Sequence, residues 1–330
     1  MTGKLRISDV AKHAGVSPAT VSRVMNGNPK VDPGLVARVQ AAAEELGYTA
    51  SPLARSLALG KTQTITVLVP DLGNPTFQGV LRTLSRSAAA DGYHVLVADS
   101  AEVAADEASL AVDARRRTDG IVLVAPRMAD DELDALLPRL APAVLVNRPP
   151  HESAPVVAAD YAGGLRELIE HLHDLGHRHI LFLAGVPGSA SNARRLAAIA
   201  GARADHPDLV LDEAACGTGF ADGAAAVDAV RGSGATAVLA YNDLVAMGLL
   251  SALHDAGIAV PADVSVTGFD GIPFAPYTTP PLTTAAVPTD RMGERAWAAM
   301  RALLDGDDAP SPEVFAPVLA VRGSTAPPRA

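Results

Sequence analysis

One cysteine, Cys216, in 330 residues leaves no partner for a disulfide and excludes any zinc or iron–sulfur site built on several thiolates. Long hydrophobic runs are also missing. The most apolar stretches, around Ile65–Pro70 and Ile121–Pro126, are strand-sized, well short of the ~18 residues a membrane span needs. The opening MTGKLRISDV lacks the apolar core of an export signal, so the expected compartment is the cytoplasm, with no membrane partner. Neither G-x-x-x-x-G-K-[ST] nor G-x-S-x-G occurs, which removes the usual phosphate-loop and hydrolase signals. No nucleophile–base pair or metal set is visible, and the chain is not expected to be an enzyme. With 48% hydrophobic and 19% charged residues it is neither disordered nor fibrous, and its length suits about two domains.

The net charge of −10 is uneven. Residues 1–61 hold eight Lys/Arg against four acids, so this head is +4 and the other 269 residues are −14. A basic head on an acidic body suits a segment that meets phosphate while the body is repelled from it.

Ile7 to Asn26 reads as two short helices around a tight turn. Ile7, Val10, Ala11 and Ala14 recur at helical spacing, and Gly15 takes the left-handed conformation that ends the first helix. Ser17 then acts as N-cap with Pro18 at the first helical position, and Val21 and Val24 turn inward. Asp32-Pro33 repeats that start signal for a third helix running to Leu46-Gly47. Three such helices fit a helix-turn-helix domain, whose second helix lays its N-terminal residues in the major groove. There Arg23 alone offers a bidentate contact to guanine, while Pro18 and Ala19 offer apolar contact. Ser17, Thr20, Ser22 and Asn26 supply groups for the backbone, Thr20, Ser22 and Asn26 as phosphate contacts. A generic three-helix bundle is the other reading of this pattern.

From Thr64 onward apolar strands alternate with helices in two successive sets, the second beginning near Gly163. This order implies parallel sheets with ligands at the carboxyl ends of the strands, and two halves in series suggest a cleft between them. A sugar-sized ligand needs several hydroxyl partners and an aromatic face there. Asp71, Asn74, Phe77 and Asn147 follow strands of the first half. Arg194, Asn242 and Asp270 follow strands of the second. Arg and Asp suit vicinal hydroxyls and Phe77 a ring face, although Asp and Asn at such places also cap helices.

The run ISDVAKHAGVSPATVSRVMNGNPKVDPGLVARVQAAAEELGYTASPLARSLALGKT resembles the DNA-binding head of the lactose-repressor (LacI/GalR) family of transcription regulators. VPDLGNPTFQGV, RRRTDGIVLVAP, HLHDLGHRHILFLAG, the segment from AVLAYNDLVAMG through VSVTGFDG, and VRGST resemble that family's effector-binding core. The resemblance implies an N-terminal all-α helix-turn-helix domain over 1–50 and a hinge helix and linker over 51–61. It also implies an α/β periplasmic-binding-protein-like core of two doubly wound parallel-sheet lobes over 62–330. Lobe one is expected at about 62–161 and 291–321, lobe two at about 162–290. The base-reading positions fall on Pro18, Ala19 and Arg23. The hinge helix falls on 51–59, with Ala54 and Arg55 on DNA and Leu57 as a wedge in the minor groove. Ser51-Pro52 stands where many relatives carry Pro-Asn.

The strand-end residues of the core match the family's effector contacts, Asn242 and Asp270 most firmly, because NDLVAMG and TGFD align without gaps. The loop GVPGSASNARRLA is about one residue shorter than usual, which leaves Arg195 and Asn192 as alternatives to Arg194. Thr218, with Phe220 nearby, and Thr76 stand where relatives carry aromatics. The implied function is a homodimeric repressor of carbohydrate-metabolism genes on a pseudo-palindromic operator, controlled by a carbohydrate effector. A nucleobase or nucleoside sensor is the runner-up, followed by a sugar-binding module without operator function.

Other signals are set aside. His171, His173, His177 and His179 suggest a metal cluster, but Gly176 interrupts the helix between them and the run reads as a helix end. Gly217-x-Gly219-x-x-x-Gly223 is one residue off the dinucleotide fingerprint. Asp119 and Asp263 read as turn residues. No metal or cofactor is expected.

Overall fold

The computed structural model describes residues 5–25, 30–48, 60–308 and 310–329. It divides into two compact units, Met1–Gln63 and Thr64–Ala330.

In the first unit α1 (Ile7–Ala14), α2 (Pro18–Met25) and α3 (Pro33–Leu46) form where the start and stop signals put them. Gly15 and Gly47 adopt φ of +61° and +64°, the left-handed turn that ends a helix at little cost only for glycine. Ser17 Oγ accepts from Thr20 N at 3.1 Å, and Asp32 Oδ1 accepts from Gly34 N and Leu35 N at 2.9 and 3.1 Å. Val10, Ala11, Ala14, Val21, Val24, Val39, Ala42 and Ala43 close into a small core. A His13 Nε2–Glu45 Oε2 pair at 2.7 Å adds a link between α1 and α3.

In the second unit, a first set of elements runs β1 (Thr64–Val69), α4 (Pro75–Ala90), β2 (His94–Asp99), α5 (Ala104–Arg115), β3 (Gly120–Val124), α6 (Asp130–Leu140), β4 (Ala143–Val146) and β5 (Val156–Ala159). A second set runs α7 (Tyr161–Asp174), β6 (His179–Ala184), α8 (Ala190–Asp205), β7 (Val210–Ala215), α9 (Phe220–Ala225), α10 (Val227–Ser233), β8 (Ala237–Ala240), α11 (Asp243–Asp255), β9 (Ser265–Asp270) and β10 (Thr283–Ala286). Then follow α12 (Thr289–Asp305), β11 (Glu313–Phe315) and β12 (Val318–Ala320).

The sheets repeat one plan. The first has strand order β11-β5-β4-β3-β1-β2 and the second β12-β10-β9-β8-β6-β7. All pairings are parallel except β10–β12. In each sheet the chain reverses direction of growth beside its first strand, and the carboxyl ends at that switch point are where such folds bind ligands. Central strands such as Gly120–Val124 are buried along their whole length, as strands covered by helices on both faces must be. The edge strands β2 and β7 are largely exposed.

The chain crosses between lobes near residue 160, at 287–288 and at 316–317. One expected boundary is therefore corrected: 291–321 does not stay with lobe one, because Val318–Ala320 pairs with β10 on the edge of the second sheet. Ser324, fully buried, follows it into lobe two, accepting from Thr283 N at 2.8 Å and donating to Val266 O at 2.6 Å. No helix among the described residues is long and apolar enough to cross a membrane.

Candidate functional site

On the small unit, Ser17, Pro18, Ala19 and Arg23 are exposed, because Val21 and Val24 of the same helix turn into its core. Thr20 and Ser22 are half-buried, and the Ser17 and Thr20 hydroxyls bond each other at 2.9 Å. The outward face of α2 thus presents one guanidinium flanked by small side chains, a shape suited to a groove edge. Asn26, Ala54, Arg55 and Leu57 lie outside the described residues.

In the core, Asn74, Thr76, Phe77, Arg127, Tyr161, Ser191, Arg195, Thr218, Tyr241, Asn242 and Asp270 converge from both sheets on one small cavity. At its centre Arg195 is 1% exposed, packed against the Tyr161, Tyr241 and Phe269 rings with its Cζ 4.5, 4.5 and 4.2 Å from their centroids. Its Nη2 lies 3.9 Å from Asp270 Oδ1, an ion pair too long for a hydrogen bond. Its Nε and Nη1 are buried with no hydrogen-bond partner among the described residues. Cation–π contact offsets part of the cost of burying this charge, but two donors remain unanswered.

Asp270 ends β9 with φ +101°, a strained backbone for a residue with a side chain. It accepts from Thr76 Oγ1 at 2.9 Å, a bond that joins lobe two to the start of α4 in lobe one. Burial pushes its carboxyl up to about 6, against the opposing pull of Arg195 and Thr76. Asp243, beneath it, accepts from Thr284 Oγ1 and Ile272 N at 2.6 and 2.8 Å, which fixes the turn after Asp270, and burial raises it to about 7. On the lobe-one side Glu107, fully buried, accepts from Arg127 N and Met128 N at 2.7 and 2.8 Å, and burial raises its carboxyl. This grip holds Arg127 at the cleft, where Glu102 pairs with its guanidinium at 2.6 and 2.8 Å.

The central cavity holds about 20 Å³, room for about one water. It is flanked by larger openings. One of about 420 Å³ lies beside Thr76, Asp270, Arg82 and Phe274, and the other, of about 550 Å³, beside Arg127, Arg148 and Arg194. A sugar-sized molecule therefore enters the centre only if the lobes part or Arg195 swings aside.

Residues 6–51 match the model of the bacterial regulatory proteins of the lacI family, and residues 169–325 match the periplasmic binding protein-like domain. The HTH-type transcriptional regulator AscG of Escherichia coli (strain K12) is 34% identical over 329 residues, covering 96% of this chain and 97% of that protein. The chain belongs to the LacI family. The HTH-type transcriptional repressor CytR of the same strain is 31% identical, covering 97% of this chain and 96% of its own. Among solved structures, this LacI-family regulator is similar to the lac repressor dimer bound to operator and the anti-inducer ONPF. That likeness has a TM-score of 0.87 at 26% identity and covers 98% of this chain and 99% of that one. It is also similar to a transcriptional regulator CelR–cellobiose complex, TM-score 0.71 at 27% identity, covering 97% and 99%. The protein is accordingly a DNA-binding transcriptional regulator of that family with a ligand-binding domain, and its relatives are regulators rather than enzymes.

Of the expected effector residues, Asn74, Phe77, Asn242 and Asp270 line the central cavity of this LacI-family core. The two asparagines also serve as helix caps. Asn74 Oδ1 accepts from Thr76 N at 2.9 Å and Asn242 Oδ1 from Val245 N at 2.8 Å, while Asn242 Nδ2 donates to Thr218 O at 2.9 Å. Asp71 closes a turn on Gly73 N at 2.7 Å, and Asn147 Oδ1 accepts from Ala159 N at 3.1 Å, so both brace the strand ends. Arg194 opens onto the neighbouring space with Arg148, and Arg195 takes the central place. Asn192 bonds Gly185 in both directions at 3.0 and 3.3 Å. Thr218 lines the cavity and Phe220 is exposed. Tyr161, Tyr241, Ser191 and Arg127 were not expected. Tyr161 and Tyr241 each follow a strand end, the same signal that marked the others.

The histidine run does not converge. His177 lies against Thr236 Oγ1 and Ser265 Oγ at 2.8 and 3.1 Å, His171 against Thr325 Oγ1 at 3.0 Å, and His179 against Asp212 at 2.7 Å.

Proposed function

We propose that this regulator is an effector-controlled repressor of carbohydrate-metabolism genes, acting as a homodimer on a pseudo-palindromic operator. Each α2 lies in the major groove with Arg23 on a guanine and Pro18 and Ala19 against neighbouring base edges, while Thr20, Ser22 and Asn26 hold phosphates and Ser17 caps the helix at the DNA face. Residues 51–59 form the hinge, with Ala54 and Arg55 on DNA and Leu57 opening a base step from the minor groove. The effector is a sugar held between the lobes by Asn74, Phe77, Arg195, Asn242 and Asp270. Asp71, Asn147 and Arg194 support the walls and mouth.

The observation that carries this reading is Arg195, a buried guanidinium on an aromatic floor with Nε and Nη1 unanswered. Adjacent hydroxyls of a sugar supply the missing acceptors, and its apolar ring face suits Tyr161, Tyr241 and Phe77. The operator in the lac repressor complex and the cellobiose in the CelR complex agree with the two partner classes. Ligand and operator affinities are then coupled reciprocally, typically by about 1–3 kcal/mol.

Fluorescence anisotropy on operator fragments selected from genomic DNA tests the first half. Arg23→Ala is expected to weaken specific binding by about 1–3 kcal/mol and relax preference at one base pair, and an unchanged affinity refutes the assignment. A thermal-shift screen against mono- and disaccharides and nucleosides tests the second. Stabilisation by a sugar supports it, and stabilisation by nucleosides alone overturns the carbohydrate assignment.

A further inference from the structure

Outside the cleft, the far ends of α7 and α8 bring together an unrelated group of side chains. Glu170 and His173 stand three apart on α7, one helical turn, and so share a face. His206 caps the C-terminus of α8 and Asp208 follows two residues later. His206 Nε2 lies 2.7 Å from Glu170 Oε1, and His173 Nε2 lies 3.3 Å from Asp208 Oδ2. The imidazole rings face one another at 4.4 Å between centroids, inclined by 40°. The donor atoms of Glu170, His173 and His206 all lie within 4.8 Å of one another.

We propose that Glu170, His173 and His206, with Asp208 beside His173, form a binding site for a divalent transition metal, best suited to Zn²⁺. Glu170, His173 and His206 supply three of the four tetrahedral zinc ligands, and Asp208, beside His173, turns in as the fourth; nitrogen and oxygen donors of this kind do not favour Mg²⁺ or Ca²⁺. Zinc bonds of ~2.1 Å place tetrahedral ligand atoms about 3.4 Å apart, so donors up to 4.8 Å apart need to draw in by up to about 1.4 Å. Both histidine side chains are four-fifths buried, at 19% and 20% exposure, while the carboxylates at 52% and 55% are free to adjust. Arg178 Nε holds Asp208 Oδ2 at 2.7 Å, an outer contact of the sort that orients a ligating carboxylate. Each histidine is paired with one carboxylate, and the ion would replace both pairs at once. The histidine-rich run of 171–179 hid this arrangement, because only His173 belongs to it and its partners come from 170, 206 and 208.

The site spans two helices whose other ends reach the cleft through Tyr161 and Arg195, so zinc would pin α7 and α8 together at the end remote from the effector.

Isothermal titration of the full chain, dialysed against chelator, with zinc chloride tests this. One Zn²⁺ per chain is expected, with affinity reduced at least tenfold in His206→Ala and in the nearly isosteric Glu170→Gln. His179→Ala, which disturbs only the Asp212 pair, is expected to bind as the parent does. Absence of saturable zinc binding by the parent overturns the proposal, as does parental affinity in both cluster variants. Circular dichroism of the metal-free variants separates lost ligation from lost fold, and Glu170→Gln alone decides the matter if His206→Ala unfolds.

Discussion

Burying a guanidinium with Nε and Nη1 unanswered costs about 1–3 kcal/mol or more, even over aromatic rings. A protein keeps such a group where its partner arrives from outside. Arg195→Met, similar in length and without the charge, is therefore expected to cut effector affinity at least tenfold, while the ligand-free thermal midpoint shifts little, because relief of the two unanswered donors is set against loss of the counter-charge beside Asp270. Parental effector affinity in this variant would show instead that Arg195 is chiefly a packing residue. Asn242 and Asp270 were legible because each lies within two residues of the end of an apolar strand. Arg195 was legible only as an alternative to Arg194, since which of two adjacent arginines turns inward depends on the phase of α8, set by where Ser189 starts the helix. Tyr161 escaped because Val156–Ala159, the strand it follows, is four small apolar residues with no alternation to mark it.

At the scale of elements, start and stop signals gave the most secure readings. Ser17, Asp32, Gly15 and Gly47 each act as the sequence indicates, because caps are local chemistry. Short strands assembled from distant segments were not legible, among them Thr283–Ala286, Glu313–Phe315 and Val318–Ala320, each of three or four residues and specified by its neighbours in the sheet. Helix packing can be equally unforgiving. A Cβ at Gly248 of α11 would sit 1.9 Å from Phe220 O, and one at Gly223 of α9 would sit 2.0 Å from Val245 O. These helices touch backbone to backbone, with no flexible side chain to yield. Gly248→Ala is expected to destabilise the core by about 3 kcal/mol or more, seen as a lower urea midpoint for the α/β unit. An unchanged midpoint would mean that α9 shifts freely.

Across the whole molecule, the direct side-chain bond from Thr76 to Asp270 ties one lobe to the other at the cleft. Thr76→Val removes the donor and leaves a buried carboxylate less satisfied, a loss of about 1–2 kcal/mol. Hydrogen exchange is expected to quicken about tenfold at residues 74–77 and 270–272 while the distant strands keep their protection. Uniform protection in parent and variant would show that the bond does not restrain the lobes. The two-lobed plan itself was readable from the alternation of strands and helices, but the return of the chain at 316–317 was not, because two three-residue strands carry it. That return has a consequence for biosynthesis. Glu313–Phe315 completes the edge of one sheet and Val318–Ala320 the edge of the other, so a nascent chain that has passed every central strand still exposes an unpaired border on both. Neither lobe can be excised as one uninterrupted gene fragment, and a ribosome stalled before codon 313 would hold two unfinished halves, each open to pairing with its neighbour on the same message.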